Sequence, residues 1–165
     1  LEDHMKGWES ARSGFGEQAV FSFNQPIALQ AFVVDTYLHR LNAPLSCHLF
    51  GLAPEHDLTD SMQSIPQWSV QLENGQRVVP DDFQAYMQGR HYAEINESWP
   101  DALIIRLDQS QSTHWQPLLP FQALKPDTYH HFDAFETTGW FQHLLFLHDP
   151  NGGIHGLKAF GDYQS

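Results

Sequence analysis

The sequence contains one cysteine, Cys47, in 165 residues. A single thiol excludes an internal disulfide framework and any zinc site of the Cys-x-x-Cys type. Basic residues are also scarce. Eight Lys and Arg stand against twenty Asp and Glu, a formal charge of −12 with the histidines neutral. A generic nucleic-acid binder needs a basic face, so nucleic acid is not an expected partner. No apolar run approaches the roughly 18 residues a membrane helix needs, and no membrane partner is expected. No basic stretch followed by an apolar one opens the chain, so no secretory signal is visible and a soluble, cytoplasmic protein is expected. Leu1-Glu2-Asp3-His4-Met5 nevertheless does not resemble a natural start. Phosphate-cradling glycine loops are missing too, since Gly14-Phe15-Gly16 lacks the third glycine and the helix that should follow it.

What the chain does have is strands. Ala19–Asn24, Ala28–Thr36, Ser46–Leu52, Trp68–Leu72, Ala102–Leu107, Gln142–His148 and Ile154–Phe160 are short, rich in Val, Ile and Phe, and bounded by Pro, Gly, Asn or Asp. Phe21 and Phe23 alternate with Ser22 and Asn24, the pattern of a strand with one wet face. His143-Leu-Leu-Phe-Leu-His148 is apolar on both faces, as expected between two packed layers. One helix is expected from Pro80 through Gln88, with Asp81 and Asp82 in its first turn and Gly89 at its end. Phe83, Tyr86 and Met87 would form its packing stripe. Seven or more strands with almost no helix predict a single all-β domain over residues 1–165, a β-sandwich of jelly-roll type with a short helix.

Several residues invite a chemical reading and also admit a plain one. Asp149-Pro-Asn-Gly-Gly153 carries the turn residues of a tight hairpin, which would set His148 opposite His155. Two imidazoles with Asp149 could bind a divalent metal, but that set is incomplete, and a solvated hairpin end is the simpler reading. His130 and His131 point to opposite faces if extended, so they cannot jointly grip one ion. Cys47 and His48 are neighbours on an apolar strand and face opposite ways, which leaves Cys47 as a small buried apolar residue. Asp57, Asp60, Asp81 and Asp82 could attract calcium, yet they lack EF-hand spacing and are expected to solvate the surface.

Four stretches, taken in order, resemble the allantoicase family, whose members carry repeats of a galactose-binding-like jelly roll. The first is Gly7-Trp8-Glu9-Ser10. The second is Val33-Val34-Asp35-Thr36, followed by Asn42, Pro44 and Ser46-Cys47. The third is Trp115-Gln-Pro-Leu-Leu-Pro120, continuing to Leu124, Pro126 and His131-Phe132. The fourth is His143 with Pro150, Gly152-Gly153 and Leu157 to Gly161. These cover nearly the whole chain except about residues 53 to 112, a stretch longer than the family pattern and read as an insertion.

The resemblance implies hydrolysis of allantoate to ureidoglycolate and urea. That chemistry asks for an acid to protonate the departing urea, a base to guide water and a cation or backbone donors for the substrate carboxylate. Glu9, Asp35 and His143 match motif positions and are the candidate acid–base groups; Arg12, Thr36 and Asn42 are the candidate substrate-binding groups. The plain alternatives are a strand-end turn for Asp35-Thr36, core packing for Trp8 and a satisfied half-buried side chain for His143. No cofactor is called for, though a divalent metal is compatible with the chemistry.

Departures from the pattern are as informative. Leu38 stands at the family's histidine position within Tyr37-Leu38-His39, Leu41 replaces a glycine, and Leu145 and Gly156 replace arginines. Family members usually carry two repeats and this chain has room for one, so a homodimer could supply the second. The other class of function is a catalytically degenerate jelly roll that binds a small ligand, a carbohydrate or a protein.

Overall fold

The computed structural model describes residues 2–9, 17–39, 43–44, 46–72, 75, 77–78, 103–149 and 153–164. The strands are β1 Glu2–Glu9, β2 Glu17–Asp35, β3 Ser46–Leu52, β4 Gln67–Leu72, β5 Arg77–Val78, β6 Leu103–Asp108, β7 Trp115–Ala123, β8 Tyr129–Phe132, β9 Phe141–Asp149 and β10 Gly153–Tyr163. The main sheet runs in the order β1-β10-β2-β9-β3-β7, with β8 also on β2, and every pairing is antiparallel.

Strand β2 joins two stretches that the sequence pattern separates at Gln25-Pro26. Its first part pairs with β9, from Glu17 opposite His148 to Ser22 opposite His143; the register then slips before Ile27. From Ile27 onward it pairs with β10, ending at Asp35 opposite Gly156. Phe21 and Phe32 sit eleven positions apart on this strand, which would be about 36 Å if it were straight. Their rings are 6.1 Å apart, edge to face. The strand therefore bends back on itself near Pro26, and its two halves face each other across the core of a β-sandwich.

That core holds Phe21, Phe23, Ile27, Phe32, Val34, Cys47, Leu49, Leu118, Leu144, Phe146, Ile154 and Leu157, all buried. Burial pushes the Cys47 thiol well above its ordinary pKa, as the sequence reading of a small apolar residue implies. On β9 the alternate residues Leu145 and Leu147 belong to a second cluster with Phe50, Leu52 and Trp115. Leu58, Met62, Ile65, Trp68 and Leu107 pack against it. The two apolar faces of β9 thus each have a partner layer. The outer one includes the three-stranded sheet β5-β4-β6 and helix α1, Leu58–Ser61, followed by a 3-10 turn Met62–Ser64. Asp57 starts α1 by accepting the Asp60 N–H at 2.9 Å, so this acidic residue is a helix cap.

The structure corrects one local expectation. Consecutive strands β9 and β10 do not form a hairpin, because β2 lies between them in the strand order. His148 faces Glu17 and Cys47, is fully buried and stacks on Phe146 at 5.7 Å. His155 is half-buried on β10, so the two imidazoles are not opposed as a metal-binding pair. Turn residues report a reversal of direction and do not decide which strands pair; residues 150–152 themselves lie outside the described residues. Strands β1, β5, β7 and β8 escape the hydrophobic pattern. Strand β1 is largely polar; β7 carries Pro117 and Pro120 and tolerates them at the end of the strand order, where one edge needs no ladder. The helix expected at 80–88 lies outside the described residues.

Gly161 sits at the slip between Phe160 and Gly161 in the β10–β2 register. A Cβ there would overlap the Ala28 carbonyl oxygen, and backbone cannot swing aside as a side chain does. Gly161→Ala is expected to lower stability by about 2 kcal/mol or more, read from the urea midpoint.

His48 offers a second test. Its ring is enclosed by Phe50, Trp68 and Phe121, with centroids at 6.3, 5.4 and 6.1 Å, and Nδ1 has no hydrogen-bond partner. Burial lowers its pKa to about 4. The unfolded chain therefore takes up the proton first as pH falls. Stability from a neutral His48 is present above about 6.5 and is lost as the pH drops towards 4. Between pH 7 and pH 5 the wild type is expected to lose about 2 kcal/mol more than His48→Phe, measured by urea unfolding at both values.

Candidate functional site

Two loops meet at the end of the sandwich where β2 finishes. The first, Asp35 to His39, leaves β2; the second, Lys125 to Tyr129, enters β8. Thr36 ties them together. Its fully buried hydroxyl donates to Lys125 O at 2.7 Å and lies 3.1 Å from Thr128 O, and it accepts the Thr128 N–H at 2.9 Å. The Thr36 N–H bonds Thr128 O at 2.9 Å. Further out, Asp127 Oδ1 accepts the Leu38 N–H at 2.9 Å, and the Asp127 N–H donates to His39 O at 3.2 Å. Leu38 and Asp127 both adopt left-handed backbone, with φ of 67° and 50°. Non-glycine residues hold that conformation only where surroundings over-determine it, and this reciprocal clamp does so.

His130 extends the clamp into β8. Its Nε2 accepts the Lys125 N–H at 2.9 Å and its Nδ1 donates to Val34 O at 2.9 Å, which fixes a neutral tautomer. Its pKa is lowered, chiefly by desolvation, against the raising effects of the Val34 bond and the nearby Asp35 charge. The remaining rings at this end are more open. Tyr37, Leu38 and Tyr129 are 53%, 64% and 53% exposed, which makes an apolar and aromatic rim. Tyr37 stands edge-on to His155 at 5.4 Å, and the Lys158 ammonium lies 5.9 Å from the Tyr129 ring centre.

Of the residues singled out from sequence, Asp35, Thr36 and the backbone of Glu9 come to this end. Asp35 closes β2 opposite Gly156 and Tyr129, and its Oδ1 accepts the Tyr37 N–H at 2.9 Å. Glu9 closes β1 opposite Gly153, three positions along β10 from Gly156. Thr36 is occupied in holding the loops. His143 is elsewhere. It faces Ser22 and Leu52, roughly 20 Å along β9 from Asp149, toward the bend of β2. Its Nδ1 is 2.7 Å from Ser22 Oγ, and desolvation lowers its pKa. Arg12 and Asn42 lie outside the described residues. Among the described residues no group of three or more His, Cys, Asp or Glu is arranged to hold a metal ion.

Three residues of this end carry no motif signal. Asp127, His39 and Tyr129 are recruited by loop geometry, which pairs positions about ninety apart in sequence. The only local hint for Asp127 is its place between Pro126 and Thr128, a turn composition. Chemically, the end offers a carboxylate, imidazoles, an ammonium and an aromatic rim, enough for acid–base work on a small planar polar substrate.

Residues 1–164 match the allantoicase repeat family. Two solved structures, both of allantoicases and one of them from Saccharomyces cerevisiae, align with this chain at a TM-score of 0.54 and 16% identity. Each alignment covers 94% of this chain but 32% and 31% of the respective structures, so the chain spans about a third of their length. At that identity the likeness is one of fold. No curated protein matches.

Thr36→Val tests the clamp. Valine keeps the shape and removes the hydroxyl, leaving the Lys125 carbonyl and the Thr128 N–H, both in part-buried bonds, without it. Stability is expected to fall by about 2 kcal/mol in urea unfolding, with Thr36→Ser recovering most of it.

Proposed function

Because the chain belongs to the allantoicase repeat family, we propose that it is an allantoicase-like hydrolase of ureide breakdown, converting allantoate and water to ureidoglycolate and urea. The observation that carries the reading is the family match over residues 1–164 together with the Asp35 carboxylate, which is held at the loop end by the Tyr37 amide. In this reaction the bond between the central carbon and one ureido nitrogen breaks. The oxygen of water bonds to that carbon, and the departing nitrogen takes a proton. Asp35 is the base that receives the proton lost by water, and Glu9 closes β1 at the same end. The exposed rings of Tyr37 and Tyr129 offer flat faces against which a planar ureido group can lie. A second copy of the domain, as a homodimer, would stand in for the second repeat that family members carry in one chain.

A second reading is favoured by the same exposed rim of Tyr37, Leu38 and Tyr129: a binding module for a small ligand, without turnover. Incubation with allantoate and assay of urea, with and without divalent metal, separates the two. Urea release supports the hydrolase. A ligand-dependent rise in melting temperature without urea supports the binding module.

Within the hydrolase reading Asp35→Asn is the informative variant. Asparagine keeps an oxygen for the Tyr37 N–H and removes only the charge. Turnover is expected to fall on the order of a hundredfold, about 3 kcal/mol of transition-state stabilisation. The urea midpoint should stay near that of the wild type.

A further inference from the structure

We infer that the Lys158 ammonium holds the carboxylate of the substrate beside Asp35, an assignment that rests on the hydrolase reading above. Alternation along the strands puts the two groups on one face. Phe32 and Val34 of β2, Leu157 and Ala159 of β10 and Phe132 of β8 all pack into the core. By the strand period of two, Asp35, Lys158 and Tyr129 share the opposite, outward face. Asp35 and Lys158 are half-buried there and Tyr129 is exposed, so all three can be approached from solvent.

The register sets their spacing. Asp35 stands opposite Tyr129 on β8 and opposite Gly156 on β10. Lys158 is two residues beyond Gly156, opposite Val33. Asp35 and Lys158 are thus diagonal neighbours across the β2–β10 ladder, about 7–8 Å apart. The ammonium lies over the Tyr129 ring, 5.9 Å from its centre. A side chain that starts on β10 and reaches a ring on β8 must cross β2, and this one crosses between Val33 and Asp35. The ring fixes the cation in place. Among the described residues Lys158 makes this ring contact and no ion pair. Asp35 is engaged instead by the Tyr37 N–H. In a chain of net charge −12, an ammonium held open beside an aromatic face is a ready seat for a carboxylate.

The chemistry of allantoate asks for this spacing. Its carboxylate is bonded directly to the central carbon that water attacks. A cation for the carboxylate and a base for the water must therefore stand on one face, within the span of one small molecule. Lys158 and Asp35 meet both conditions, and seating the carboxylate on Lys158 brings the central carbon to Asp35. The carboxylate keeps its charge throughout the reaction. Its contact with Lys158 is then about as strong in the ground state as in the transition state, so losing the contact raises KM and spares kcat.

Steady-state urea release from allantoate and from its uncharged methyl ester, by the wild type, Lys158→Met and Lys158→Arg, tests the assignment. Each fold is checked by circular dichroism and urea midpoint. Methionine keeps the apolar stem and removes the charge; should it not fold, Lys158→Gln carries the same comparison. Lys158→Met is expected to raise KM for allantoate about tenfold or more, with kcat within about threefold, and Lys158→Arg to recover most of the loss. The wild type should prefer allantoate to the ester about tenfold or more in kcat/KM, and Lys158→Met should lose that preference, which a merely structural role would not change. A folded Lys158→Met with wild-type KM and undiminished preference overturns the assignment and leaves the hydrolase reading standing. So does a wild type that hydrolyses the ester as readily as allantoate, a result that needs no variant. A wild type that releases no urea from allantoate overturns both.

Discussion

The doubled-back strand β2 is the constraint on which everything else hangs. One continuous backbone of nineteen residues supplies ladder partners to β9 in one layer and to β10 and β8 in the other. Its bend near Pro26 sets the separation of the layers, and the contact of Phe21 with Phe32 seals the core between its two halves. Because the strand folds back on itself, its two ends, Glu17 and Asp35, lie toward the same end of the sandwich. The position of the candidate site is thus a by-product of one fold-back.

Much of this was legible in the sequence. Ser46–Leu52 forms a strand with the bounds its apolar pattern implies, and the doubly apolar run from His143 to His148 lies between two clusters as expected. The strands that escaped notice have polar or proline-containing composition and are held by their neighbours' ladders. No local signal marks them. The Asp149-to-Gly153 motif was legible as a reversal and misleading as to partner, since strand pairing is decided by the whole sheet.

The candidate site was legible in part. Asp35 and Thr36 stood out through their motif position, with a strand-end turn as the plain alternative, and the structure finds Thr36 holding two loops and Asp35 capping a turn within them. His143 drew attention through its motif position, yet β9 carries it toward the bend. His39 and Asp127 had no spacing relation to advertise them. They are joined by hydrogen bonds between loops some ninety residues apart, and periodicity is blind to contacts of that kind.

The outer three-stranded sheet has its own ladder, β5-β4-β6, and is a separate sheet from the main one. It rests on β3 and β9 through side chains such as Trp68 and Leu107 against Phe50 and Leu145. Among the described residues the cover is held by apolar contact and by the Trp115 N–H donating to Ser61 O at 2.9 Å, so it can part without breaking either ladder, whereas the two halves of β2 share one chain and one bend. Amide hydrogen exchange would then divide the molecule unevenly. Protons of β4 and β6 would exchange through a partial opening of low cost, while those of β2 and β10 would wait for global unfolding. The cover over the second core is in that sense a foldon of its own, able to come and go above an intact sandwich.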